Sequence, residues 1–83
     1  MRSKTLEHVY IVFDKETTIE DGIAQIEQAV MGNRPLEVSR KDAKGNAVVA
    51  IITTQERNAI KKLDFVTRIK VEEPAIKLGR QVI

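Results

Sequence analysis

The stretch that most constrains this chain is Lys44-Gly45-Asn46-Ala47-Val48-Val49-Ala50-Ile51-Ile52. A Gly-Asn turn signal opens it, an unbroken apolar run follows, and Thr53-Thr54-Gln55-Glu56 closes it with a helix-start pattern. A run that is apolar at both parities is buried on both faces of a sheet, or buried on one face and adhesive on the other. We read the second arrangement here. Ala47, Val49 and Ile51 are expected to face a core, and Val48, Ala50 and Ile52 a partner.

The flanking segments build a plan around this strand. Val9-Tyr10-Ile11-Val12-Phe13 is a β-branched and aromatic run that Asp14-Lys15 ends, which predicts a central strand. Thr17-Thr18-Ile19-Glu20 fits a capping box, with the Thr17 hydroxyl accepting from a first-turn N–H and Glu20 reaching back. Ile19, Ile23, Ile26 and Val30 then mark one face of an amphipathic helix, with Glu27 among the residues left to water, and Gly32 stops it. After Pro35, the alternation of Leu36–Arg40 predicts a half-buried strand joined to the opening one by a turn over Lys41–Gly45. Thr53–Glu56 is a second capping box, launching a short helix with Ala59, Ile60 and Leu63 inward and Arg57 outward. Phe65–Val71 alternates as a fourth strand, and Pro74 closes it.

Strand, helix, strand, strand, helix, strand is the ferredoxin-like βαββαβ plan, an α+β fold. Both helices lie on one face of a four-stranded antiparallel sheet, with the first and third strands central. At 83 residues the chain is one domain, 1–83, with a core over 8–74 and a C-terminal tail over 75–83. By parity the helix-free sheet face is expected to hold Tyr10, Val12, Val48, Ala50 and Ile52 at its centre, and Glu37, Ser39, Arg68 and Lys70 towards its edges. An apolar centre with a polar rim is the anatomy of a binding surface.

Composition narrows the function classes. The net charge of +2 is spread without runs of like sign, so no electrostatic footprint for nucleic acid is evident. Cysteine is absent, which excludes disulfides and thiolate metal sites. Val9–Phe13 is too short for a signal-peptide core or a membrane span, so the chain reads as cytoplasmic. Nor do the residues converge on catalysis. His8 is the only imidazole and reads as a surface residue at a strand start; Glu72-Glu73 point to opposite faces of a strand; Ser39 has no base beside it. The expectation is a protein that is not an enzyme, with no catalytic residue, metal or cofactor.

The succession Tyr10-Ile11-Val12-Phe13, a helix ending at Gly32, Lys44-Gly45-Asn46-Ala47-Val48, the Thr54-Gln55-Glu56 helix start, Ile60 with Leu63, Phe65-Val66 and Val71-Glu72-Glu73-Pro74 resembles the subtilisin propeptide and peptidase-inhibitor family over residues 8–74. The resemblance implies that the open sheet face docks on a subtilisin-like serine protease, inhibiting it or assisting its folding. It also implies that the tail enters the active cleft like a substrate. On that basis Tyr10, Val12, Val48, Ala50 and Ile52 would be interface, and Leu78, Gly79, Arg80, Gln81, Val82 and Ile83 would fill the cleft. An alternative is a small homodimer or regulatory module associating through the same face, since this plan hosts many functions. RNA binding ranks lower. Lys44–Ile51 falls in register with an RNA-recognition signature and Tyr10 sits at a stacking position, but Asn46, Val48 and Ile51 stand where further aromatic rings are needed.

Overall fold

An apolar, β-branched N-terminal segment forms β1, Leu6–Phe13, in the computed structural model, which describes residues 6–74 of the chain. The other elements are α1 (Ile19–Ala29), β2 (Val38–Asp42), β3 (Ala47–Thr53), α2 (Thr54–Ile60) and β4 (Val66–Pro74). The four strands form one sheet in the order β2-β3-β1-β4, antiparallel at every join. β1 and β3 are central, as expected, and the fold is ferredoxin-like.

Local chemistry explains the element ends. The second capping box forms as read: the Thr53 hydroxyl accepts from the Glu56 N–H at 3.1 Å, and the Glu56 carboxylate accepts from the Thr53 N–H at 2.9 Å. The first is displaced by one residue. Thr18 is the cap of α1, accepting from the Asp21 N–H at 3.1 Å, while the Thr17 hydroxyl donates to Asp14 at 2.7 Å. Gly32 takes the left-handed conformation expected of it, with φ +64°, just past the end of α1. Glu27 is drawn out of the solvent-facing set: it is half-buried and accepts from the Leu36 N–H at 2.8 Å. Ala59, expected inward, is exposed. The second strand begins later than its alternation suggests and runs to Asp42, while the fourth continues through Pro74.

The core lies between the two helices and one face of the sheet. Val9, Ile11 and Phe13 from β1 meet Val48, Ala50 and Ile52 from β3, with Ile26 of α1 and Ile60 of α2 above them. This reverses the parity expected for β3. Val9 pairs with Ala50 and Ile11 with Val48, so odd-numbered residues of β1 share a face with even-numbered residues of β3. Val48, Ala50 and Ile52 are therefore fully buried under the helices, while Ala47, Val49 and Ile51 are on the open face with Tyr10 and Val12.

Gly22 belongs to the inward stripe of α1 and is buried there. A Cβ at Gly22 would stand 2.6–2.8 Å from the Phe13 ring, so this glycine sets how closely α1 can approach β1. Gly22→Ala gains about 1 kcal/mol of helix propensity. Overpacking costs about 1–3 kcal/mol. A net loss of thermal stability is expected, recovered in the double variant with Phe13→Leu; a raised melting temperature for the single variant would show that the contact yields freely.

Candidate functional site: the open sheet face

With both helices on one side, the opposite side of the sheet is covered by no helix among the described residues. Register places His8, Tyr10 and Val12 of β1 on it opposite Ile51, Val49 and Ala47 of β3, and Lys70 and Arg68 of β4 opposite Tyr10 and Val12. Arg40 of β2 joins them opposite Val49.

The centre of this face is apolar but not bare. Ala47 is 0% and Val49 2% exposed, although no helix among the described residues lies over them. Their cover is a side-chain clasp. The Tyr10 hydroxyl donates to Asp42 Oδ2 at 2.6 Å, and because β3 separates β1 from β2, this bond must cross over β3. The second Asp42 oxygen accepts from the Gly45 N–H at 3.2 Å. Gly45 is required by the clasp, since a Cβ there would sit 2.7 Å from the Tyr10 hydroxyl and 2.8 Å from Asp42 Oδ2. A second, looser crossing runs from edge to edge, with Arg40 4.0 Å from Glu72. The expected adhesive apolar centre is thus replaced by an apolar floor under a polar layer.

The hairpin that carries Asp42 and Gly45 is anchored at Asn46. Its backbone is left-handed, with φ +54°, and its amide donates to the carbonyl oxygens of Asp14 and Thr17 at 2.8 and 3.0 Å, with Phe13 O at 3.4 Å. The Phe13 N–H returns to Asn46 O at 3.0 Å. These contacts tie the β2–β3 turn to the β1–α1 junction.

Electrostatics follow the clasp. The hydrogen bond to Asp42 raises the Tyr10 phenol above its ordinary value, assisted by desolvation and by the Asp42 charge. The same bond, with the Gly45 N–H, holds Asp42 below the usual carboxylate range. On the other side of the sheet the Arg57 guanidinium, 2.8 Å from Glu7, is the main cause that lowers the Glu7 carboxyl, and the Thr54 hydroxyl donates to the same group at 3.0 Å. Burial pushes Glu56 up, but the Thr53 N–H, the Arg34 guanidinium and the Thr53 hydroxyl outweigh it and leave Glu56 lowered. Each of these carboxylates is occupied in holding elements together.

Of the residues read as interface, Tyr10 and Val12 lie half-buried on the open face, whereas Val48, Ala50 and Ile52 do not reach it. Ile51, assigned to the core by parity, is on the open face and half-buried. The expected tail residues Leu78, Gly79, Arg80, Gln81, Val82 and Ile83 lie outside the described residues. The clasp escaped sequence reading, although Asp42 with Gly45 three residues on is the pattern of a side-chain-capped turn. Among the described residues no group of three or more His, Asp or Glu is placed to hold a metal ion, and no helix is long and apolar enough to cross a membrane. No family model, curated protein or solved structure matches this chain.

Two predictions follow from the face assignment and the clasp. Val48→Asp buries an unpaired carboxylate at a cost of several kcal/mol. That is comparable with the stability of a whole small domain, about 5–15 kcal/mol. It is expected to abolish the cooperative melt, while Ile51→Asp on the open face leaves a folded chain; equal losses by circular dichroism would refute the register. The pH dependence has opposite signs at its two ends. Asp42, Glu7 and Glu56 are lowered, so their contribution is complete above about pH 4–4.5 and is lost as pH falls through their depressed values. Tyr10 is raised, so the clasp holds below its ordinary 10.0 and is lost as pH rises through the raised value. Ultraviolet titration of the single tyrosine is expected to place its ionisation above that of free tyrosine, and Asp42→Asn is expected to bring it down.

Proposed function

We propose that this domain is a binding module that docks through its open sheet face on a subtilisin-like serine protease, in the manner of propeptides and stand-alone inhibitors. The observation that carries the reading is the helix-free face of a ferredoxin-like sheet, whose strand β4 leads directly into residues 75–83. Tyr10, Val12 and Ile51 supply the half-buried apolar contacts of the docking strip, in place of the three core residues Val48, Ala50 and Ile52. The tail then extends into the active cleft, gaining main-chain hydrogen bonds along its length and specificity from alternate side chains. Binding, not turnover, is the activity, and a cysteine-free chain suits the reducing cytoplasm.

An inhibition titration of subtilisin with the full chain and with a chain ending at Pro74 tests this reading. The full chain is expected to inhibit; the shortened one, which keeps every strand and helix described, is expected to bind and inhibit far less. Equal inhibition by both would remove the tail from the mechanism. Absence of binding by either, with a dimeric mass in sedimentation, would instead favour self-association through the same face.

A further inference from the structure

The open face carries charges of both signs, and along β4 two cations, Arg68 and Lys70, stand beside Glu72. Two of its acids have partners: Asp42 accepts from Tyr10 and Gly45, and Glu72 lies 4.0 Å from Arg40, while Glu37 is exposed on the far side of the sheet, beyond β3. Arg68 and Lys70 of β4 are exposed, and among the described residues neither has an ion-pair or hydrogen-bond partner. They stand two residues apart opposite Val12 and Tyr10, so both project from the open face, roughly 7 Å apart along the strand. With Tyr10 and Glu72 they line one shallow groove, and Arg68 shares a second with Lys61.

In water alone these cations are well solvated and require nothing. A protein that covers Tyr10 and Val12 changes that, because it also covers their cross-strand neighbours Lys70 and Arg68. Desolvated cations without counter-charges oppose association, and placing carboxylates opposite them reverses the sign of that contribution. We propose that the partner surface meeting β4 is acidic, presenting carboxylates to Arg68 and Lys70. The inference rests on docking through the open face and adds to it the chemistry of the surface recognised.

The test uses the isotope-labelled full chain and three probes: a poly-glutamate peptide, a poly-lysine peptide of equal length and an oligouridylate, each followed by amide chemical shifts. Poly-glutamate is expected to shift β4 and Tyr10, with affinity falling as salt is raised, and poly-lysine to leave them unmoved. Arg68→Gln/Lys70→Gln, both at exposed positions, is expected to keep the native spectrum and to weaken binding by about tenfold. No shift with poly-glutamate, shifts confined to other lysines, or an unaffected double variant would overturn the proposal. So would tighter binding of oligouridylate on the same strand, which would mark a nucleic-acid surface. Running the double variant in the subtilisin titration separates the two readings. Inhibition unchanged by the variant, with poly-glutamate silent, removes the acidic partner and leaves docking intact. Poly-glutamate on β4 without protease inhibition supports the acidic partner and removes the protease.

Discussion

The antiparallel register of β1 against β3 is the constraint on which the rest of this structure depends. Once Val9 lies opposite Ala50 and Ile11 opposite Val48, the side-chain alternation of a strand assigns every residue of the two central strands to a face. The helices then settle on the face that holds Val9, Ile11, Val48, Ala50 and Ile52. A slip of one residue would exchange this set for Ala47, Val49 and Ile51 and bring Glu7 out of reach of Arg57. Asn46 guards against the slip, because its amide joins the start of β3 to the residues that follow β1.

The secondary elements were legible because each has a local cause: β-branched runs, a threonine cap with glutamate three residues on, a left-handed Gly32. Strand order was legible too, since crossover rules leave few ways to arrange this sequence of elements. The facing of β3 was not. A segment apolar at both parities carries no alternation, so its orientation is set by a partner strand distant in sequence. The charged residues were harder still. Glu27 reads as a solvent-facing helix position, yet it satisfies the backbone of Leu36, a relation that depends on how the chain returns after α1.

The two faces of the sheet solve the same problem by different means. Under the helices, aliphatic side chains interdigitate and no polar side chain is buried among the described residues. On the other face Tyr10 lies across β3 with its hydroxyl fixed to Asp42, excluding water from Ala47 and Val49 with a single amphipathic side chain. Gly45 makes room for it, and the same residue donates its N–H to the carboxylate that receives the hydroxyl. A sheet face built this way presents its apolar floor only where the clasp ends, around Val12 and Ile51.

The edges of the sheet have a bearing on how the protein behaves at high concentration. β4 is nine residues long and lies at one edge of the sheet among the described strands, and an edge ladder is the kind on which chains stack into fibrils. Its pairing with β1 is interrupted by register shifts at both ends, and Arg68, Lys70 and Glu72 alternate along one side of it. The opposite edge, β2, has only five residues and includes Arg40 and Lys41. A second molecule approaching either edge meets charged side chains or a broken ladder before it meets a continuous row of amides. Charge and broken register along the two edges thus oppose the addition of identical chains strand by strand.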